Sequence, residues 1–133
     1  HTGTAVTDPA LDIAAGSLAV QFTPPTVGAF TTAMGYSYNQ DPKFMYCAEA
    51  LATEISYNDW WLGQCGLSGG ASGGPWMQSL NLGTGPIISL NSWGYTNSVG
   101  MAGPRLSGSS ASCVFDLAKT QAFSPPNRGI SGC

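Results

Sequence analysis

Charge is scarce in this chain. Only 8% of its residues are charged, four Lys+Arg against seven Asp+Glu, for a formal net charge of −3. No basic stripe or cluster exists to meet a polyanion, so nucleic acid and anionic membrane surfaces are not expected partners. Histidine is nearly absent: His1 is the sole example, and the four cysteines (Cys47, Cys65, Cys113, Cys133) include no CxxC pair. A tetrahedral zinc site therefore lacks ligands, and neither a metal nor another cofactor is expected. Long apolar runs are missing too. The stretch from Ile13 to Phe22 is broken by Gly16 and Ser17 and ends far short of the roughly 20 residues of a spanning helix. The chain opens His1-Thr2-Gly3, with no Met and no basic start before an apolar run. This predicts a targeting segment already removed and a cut site at position 1. No repeat of 20–50 residues is found, which sets solenoids and propellers aside.

What is present describes one compact, turn-rich, mostly β protein. The 133 residues are 43% hydrophobic and 11% aromatic, with 18 Gly and 9 Pro. That is enough for one ordinary core, short for two, and too apolar for disorder. Alternating or β-branched runs predict strands over 18–22, 30–34, 43–47, 55–57, 74–80, 86–92 and 99–101, separated by Gly, Asn, Asp and Pro clusters as in a barrel or sandwich. Thr23-Pro24-Pro25-Thr26 reads as a linker, because proline cannot donate to a ladder. Ser112 as N-cap before Cys113–Lys119 predicts a helix with Asp116 early and Lys119 late, and the tail from Ser124 is expected to be extended. Cysteines without metal-ligand spacing, scarce Lys and abundant Ser, Thr and Gly point to disulfides in a secreted protein.

The segment that carries chemistry runs Cys65-Gly66-Leu67-Ser68-Gly69-Gly70-Ala71-Ser72-Gly73-Gly74-Pro75-Trp76. Glycines ahead of a serine permit unusual backbone angles, so the amides of Gly70 and Ser72 can both point at one developing oxyanion beside the Ser72 hydroxyl. The plainer reading of such a tract is a flexible linker. Its company favours chemistry. The sequence resembles the trypsin-like serine peptidases, particularly secreted fungal and bacterial members. Ser72-Gly73-Gly74-Pro75 matches their nucleophile motif, and Ser92-Trp93-Gly94, twenty residues later, matches the strand that pairs with substrate backbone. Asp12-Ile13-Ala14 with Leu18 matches the segment bearing the triad aspartate. The run Asn91–Tyr95, then Met101-Ala102-Gly103-Pro104 and a final helix, follows the closing order of that family.

The resemblance spans about residues 11–121 and implies an all-β fold of the chymotrypsin type. Residues 1–26 would be the end of a first β-barrel and a linker. Residues 27–133 would be a complete second antiparallel barrel with a short C-terminal helix and tail. It implies Ser72 as nucleophile, the amides of Gly70 and Ser72 as oxyanion hole, and Asp12 as the carboxylate orienting a histidine, with Ser92 donating to Asp12. Gly66, Leu67, Ser92, Trp93 and Gly94 would bind substrate. The histidine itself is not in the expected place, since His1 lies only eleven residues before Asp12. It is therefore expected on a separate N-terminal companion chain, held by packing, with a disulfide as the alternative or additional link. An N-terminal histidine can chelate copper, but that arrangement normally recruits a second histidine, which this chain lacks.

Two departures shape the specificity. Ala71 stands where digestive members carry an aspartate that pairs with a new N-terminus, so that activation switch cannot operate. Gly66, six before the nucleophile, stands where a pocket-floor acid would hold Lys or Arg. The expected substrate is a protein or peptide cut after an apolar or aromatic residue. By the resemblance, Cys47 and Cys65 pair and brace the pocket wall, while Cys113 and Cys133 pair together or one of them tethers a second chain. Trp76 and Trp93 read as core or pocket wall, Trp60-Trp61 as either core or a sugar platform, and Glu49 with Glu54 make no convincing glycosidase pair. The alternatives are a catalytically inactive relative serving as a binding or structural module, and an unrelated secreted β protein.

Overall fold

The computed structural model describes residues 16–38, 43–119 and 133. Seven strands precede one helix: β1 (Phe30–Tyr36), β2 (Phe44–Ala50), β3 (Ala52–Glu54), β4 (Asp59–Leu62), β5 (Pro75–Gln78), β6 (Ile87–Leu90), β7 (Met101–Gly103) and α1 (Ala111–Lys119). They form an antiparallel four-stranded sheet ordered β2-β1-β5-β6 and an antiparallel three-stranded sheet ordered β3-β4-β7. The period of two is plain in β1, where Thr31, Ala33 and Gly35 are buried and Phe30 and Tyr36 are exposed.

The two sheets are joined at both sides. Leu51 alone separates β2 from β3, so one run of chain serves both sheets. Its N–H donates to the Ala29 carbonyl and its own carbonyl accepts from Gly28, pinning the corner. Beyond β6, the chain reaches Trp93, which bridges to Ala102 of β7. Strands shared at one corner and bridged at the other roll the sheets into a barrel, as the sequence predicts. Inside sit Ala33, Leu51, Trp60, Leu62, Leu67, Trp76, Ile88 and Met101, with Trp76 and Leu62 fully excluded from solvent. Truncating so large a buried ring as Trp76 costs about 3–5 kcal/mol.

Both disulfides form within the chain, Cys47–Cys65 and Cys113–Cys133. No cysteine is left free, so the tether to a second chain has no thiol to use. The first bond joins β2 to the start of the loop bearing Ser72. It closes 18 residues and contributes about 3 kcal/mol in the chain-entropy picture.

Several elements differ from expectation. Residues 55–57 form the tip of the β3–β4 hairpin instead of a strand, and Asn58 closes that turn at φ 59°, a conformation asparagine tolerates. The strand lies just beyond, and it places Trp60 in the core and Trp61 on the opposite face. Trp60 is thus no sugar platform. Residues 18–22 contribute one parallel bridge, Val20 to Ile87, flanked by two backbone hydrogen bonds. The last strand runs Met101–Gly103 instead of 99–101. Helix α1 starts at Ala111, so Ser112 is inside it, the Ser109 hydroxyl accepts from the Ala111 N–H, and no acid lies in the first turn. The helix has no buried residue.

Candidate active site

The loop between Cys65 and β5 is held from three directions by one side chain. Asn91, only 2% exposed, accepts from the Trp76 indole at 2.6 Å and donates to the Met34 carbonyl at 2.8 Å and the Ala71 carbonyl at 2.9 Å. Its amide thus fills one acceptor and two donor positions without help from water. Its backbone adds two bonds, accepting from Gly73 and donating to Gly74, both at 2.8 Å. Ser37 Oγ accepts from Ser68, and Gly69 accepts from the Tyr38 N–H. Glycine is required where the loop crosses β1: a Cβ on Gly74 would lie 1.9 Å from the Met34 carbonyl. Gly70, at φ 97°, would bring a Cβ within 2.9 Å of the Tyr36 carbonyl.

This anchoring leaves a specific pattern of backbone amides. Those of Ala71, Gly73 and Gly74 are consumed by Ser68, Asn91 and Ala71 carbonyls. The amides of Gly70 and Ser72 donate to no backbone carbonyl among the described residues. Ser72 stands exposed on the turn it forms with Gly73. Beside it opens a pocket of about 360 Å³ whose walls include Leu67, Ser72, Ser92, Trp93 and Gly94. None of its described lining residues is charged.

Ser92, Trp93 and Gly94 form one wall with one edge spent and the other open. Ser92 and Trp93 donate their N–H groups to the Ala102 carbonyl, and Trp93 accepts from the Ala102 N–H at 2.6 Å. The Ser92 carbonyl and both polar groups of Gly94 take no backbone partner among the described residues. An extended peptide can add to such an edge by main-chain hydrogen bonds, with specificity left to side-chain pockets.

The barrel as a whole is matched among solved structures. The protease Anisep from Arthrobacter nicotinovorans aligns at a TM-score of 0.70 and 26% identity, over 82% of this chain and 51% of that one. A thermostable serine protease from an extremophilic microorganism aligns at 0.67 and 27%, over 78% and 49%. The fold is that of the chymotrypsin-like serine proteases. The chain spans about half the length of these two proteases. No protein-family model matches it, and no curated protein matches it by sequence.

Within this protease fold, Ser72, Leu67, Ser92, Trp93 and Gly94 converge on one pocket, and Gly70 lies on the adjoining turn. Gly66 does not join them. It is exposed and absent from the pocket wall, because Cys65 before it is drawn into the core by its disulfide and Leu67 after it is the residue that turns inward. Asp12 and His1 lie outside the described residues, as does the tail from Ser124 to Gly132. Among the described residues, no group of three His, Cys, Asp or Glu is poised around a metal, and no helix is long and apolar enough to cross a membrane.

Two features of the site are not written in any local motif. One is Asn91, whose partners lie 15, 20 and 57 positions away. The other is an aromatic rim in which Tyr57 and Tyr95 each meet Trp93 edge to face at 5.1 Å, and Trp61 meets Tyr95 at 5.7 Å. Carboxylates secure it. Asp59 accepts from the Trp93 indole at 2.9 Å, and Glu54 accepts from the Tyr57 backbone N–H at 2.7 Å and the Tyr95 hydroxyl at 2.9 Å. The Tyr57 N–H foremost, with help from Tyr95, holds the Glu54 carboxyl below the usual carboxylate range, outweighing partial desolvation. The same carboxylate pushes the Tyr95 phenol up.

Proposed function

We propose that this chain is the C-terminal portion of a secreted serine endopeptidase that cleaves peptide bonds through an acyl-enzyme. Ser72 is the nucleophile, the amides of Gly70 and Ser72 bind the oxyanion, and Asp12 orients a histidine carried by an N-terminal companion polypeptide. Residues up to 26 belong with that companion's barrel, and residues from 27 form the second. The observation that carries this reading is the pair of uncommitted amides, that of Gly70 and that of the exposed Ser72 itself, at the mouth of an uncharged pocket. Attack by Ser72 Oγ on the carbonyl passes the serine proton to the histidine, which returns it to the leaving amine. Water then releases the acyl group by the same route. The half-length match to two serine proteases supports a missing half that supplies the base.

The pocket, walled by Leu67, Trp93 and Gly94 without a charge, suits an apolar or aromatic side chain before the cleaved bond. A substrate profile confined to cleavage after Arg or Lys would overturn that preference. The two disulfides, one bracing the pocket wall, support an extracellular setting.

A second reading is favoured by the lone His1, which falls outside the described residues: a catalytically inactive barrel used for binding. A fluorophosphonate probe separates the two. Non-denatured natural protein is labelled and its intact masses are taken before and after denaturation. Label on Ser72 and a released companion establish the peptidase, whereas an unlabelled chain with no companion establishes the binding module.

A further inference from the structure

The pocket beside Ser72 does not end the cleft. Trp93, Gly94, Tyr95 and Thr96 line it and also line a second hollow of about 520 Å³, completed by Tyr57 and Asp59. Its walls are therefore three aromatic rings and a carboxylate. The second hollow shares Trp93 and Gly94 with the open edge and lacks Ser72 and Ser92, so a peptide paired there carries side chains past it, away from the cleaved bond, at about 3.3 Å per residue.

We propose that this second hollow takes a cationic side chain, Lys or Arg, located on the acyl side of the cleaved bond, a few residues before it. The inference rests on the peptidase reading and adds a substrate class to it. Aromatic faces attract cations through their quadrupoles, and a nearby carboxylate adds full charge. An arrangement within the hairpin supports the same conclusion. Glu54 and Asp59 are direct cross-strand partners in the β3–β4 register. Like charges placed opposite one another destabilise a sheet. Each carboxylate is oriented by a donor from the rim, but Tyr57, Tyr95 and Trp93 donate without bringing positive charge. The nearby basic side chain, Arg105, is engaged on another surface, stacked 3.9 Å from the Trp60 ring centroid and donating to the Asn58 carbonyl. A cation from the substrate supplies the countercharge that these contacts among the described residues do not bring.

The contrast with the first pocket is chemical. That pocket holds no charged residue and suits an apolar side chain at the bond, whereas this one suits a basic side chain further upstream. Together they describe a substrate with a basic residue followed, within a few positions, by an apolar or aromatic one.

The test uses the natural protein with its companion and has two arms. In the first, peptides carry Arg or the neutral isostere citrulline at each of the second, third and fourth residues before the bond. Arg exceeds citrulline in kcat/KM by about tenfold at one position. Asp59→Asn, which keeps an acceptor for the Trp93 indole, brings that ratio to within about twofold, and Tyr57→Leu lowers it while leaving both carboxylates in place. Equal rates at all three positions, or a ratio unchanged in Asp59→Asn, overturn the proposal. In the second arm, butylguanidinium is titrated against the protein while the Trp93 indole N–H resonance, assigned with Trp93→Phe, is followed by NMR. A saturable shift that Asp59→Asn weakens supports the subsite, and no shift overturns it. This arm needs no catalysis. Absence of fluorophosphonate label would defeat the peptidase reading and leave the cation site to be decided by the titration.

Discussion

The two walls of the cleft are made differently. The loop carrying Ser72 is fixed by buried, mutually saturated hydrogen bonds that converge on Asn91, with β1, β5 and β6 all reaching into it. The aromatic rim is half-exposed, with Tyr57 69% and Tyr95 39% accessible, and is held by a few contacts between rings and two carboxylates. Buried polar networks that are fully satisfied impose one geometry, whereas exposed rings tolerate replacement. On the proposed reading, the atoms that must be exact lie on the rigid side and those that discriminate among substrates on the adaptable side.

The comparison can be broken most severely at Ser72. On the proposed reading, Ser72→Ala abolishes fluorophosphonate labelling and lowers peptide hydrolysis by roughly 10⁴-fold or more, with an unchanged melting temperature because the hydroxyl is exposed. Next comes Asn91→Ala, which leaves the buried Trp76 indole N–H without its acceptor and takes one donor each from the Met34 and Ala71 carbonyls, the latter keeping its bond from Gly74. Chemical denaturation should show a loss of about 3 kcal/mol, together with loss of label. A full retention of both would mean the loop is held by something other than this amide.

The rim responds to pH more than to truncation. Because the folded protein holds Glu54 below its ordinary value of 4.5, the ionised carboxylate stabilises the native state at neutral pH. That contribution is lost as pH falls below 4.5 through the lower folded value. Near-ultraviolet circular dichroism should therefore report loosening of the Tyr57, Trp93 and Tyr95 rings in this acid window, and Glu54→Gln should flatten the change. The smallest effect is expected away from the cleft. Phe115 on α1 is 41% exposed and meets Phe22 at 5.5 Å, so Phe115→Ala should cost about 1 kcal/mol without altering labelling.

Much of the barrel is legible in the sequence, and the exceptions have physical causes. Strands β1, β2, β5 and β6 fall within or across the expected runs because each alternates or is bounded by turn residues. The hairpin tip at 55–57 misleads because Ile55 and Tyr57 favour strands by type, yet they face solvent at a reversal closed by Asn58. β4 is hidden because Trp60 and Trp61, adjacent and both large, mask an alternation in which one faces the core and the other the rim. The serine turn is visible in its glycines, whereas Leu67, Ser92, Trp93 and Gly94 are reached only through the resemblance to serine peptidases, which also names Gly66, absent from the pocket wall. Asn91 is not, because its importance comes from carbonyls and a ring brought together only by the closed barrel.

The open edge at Ser92–Gly94 also bears on how the protein behaves in concentrated solution. Unpaired strand edges invite other chains to add and aggregate, and proteins limit that hazard chiefly by keeping edges short. Here the groups without a backbone partner among the described residues are the Ser92 carbonyl and the N–H and carbonyl of Gly94, with the Trp93 backbone turned away and already bonded to Ala102. So brief an edge is too small to template a growing sheet, yet it suffices to align a transient guest held mainly by its side chains. On the proposed reading, the length of one strand segment lets the chain align a peptide without offering an edge long enough to nucleate aggregation.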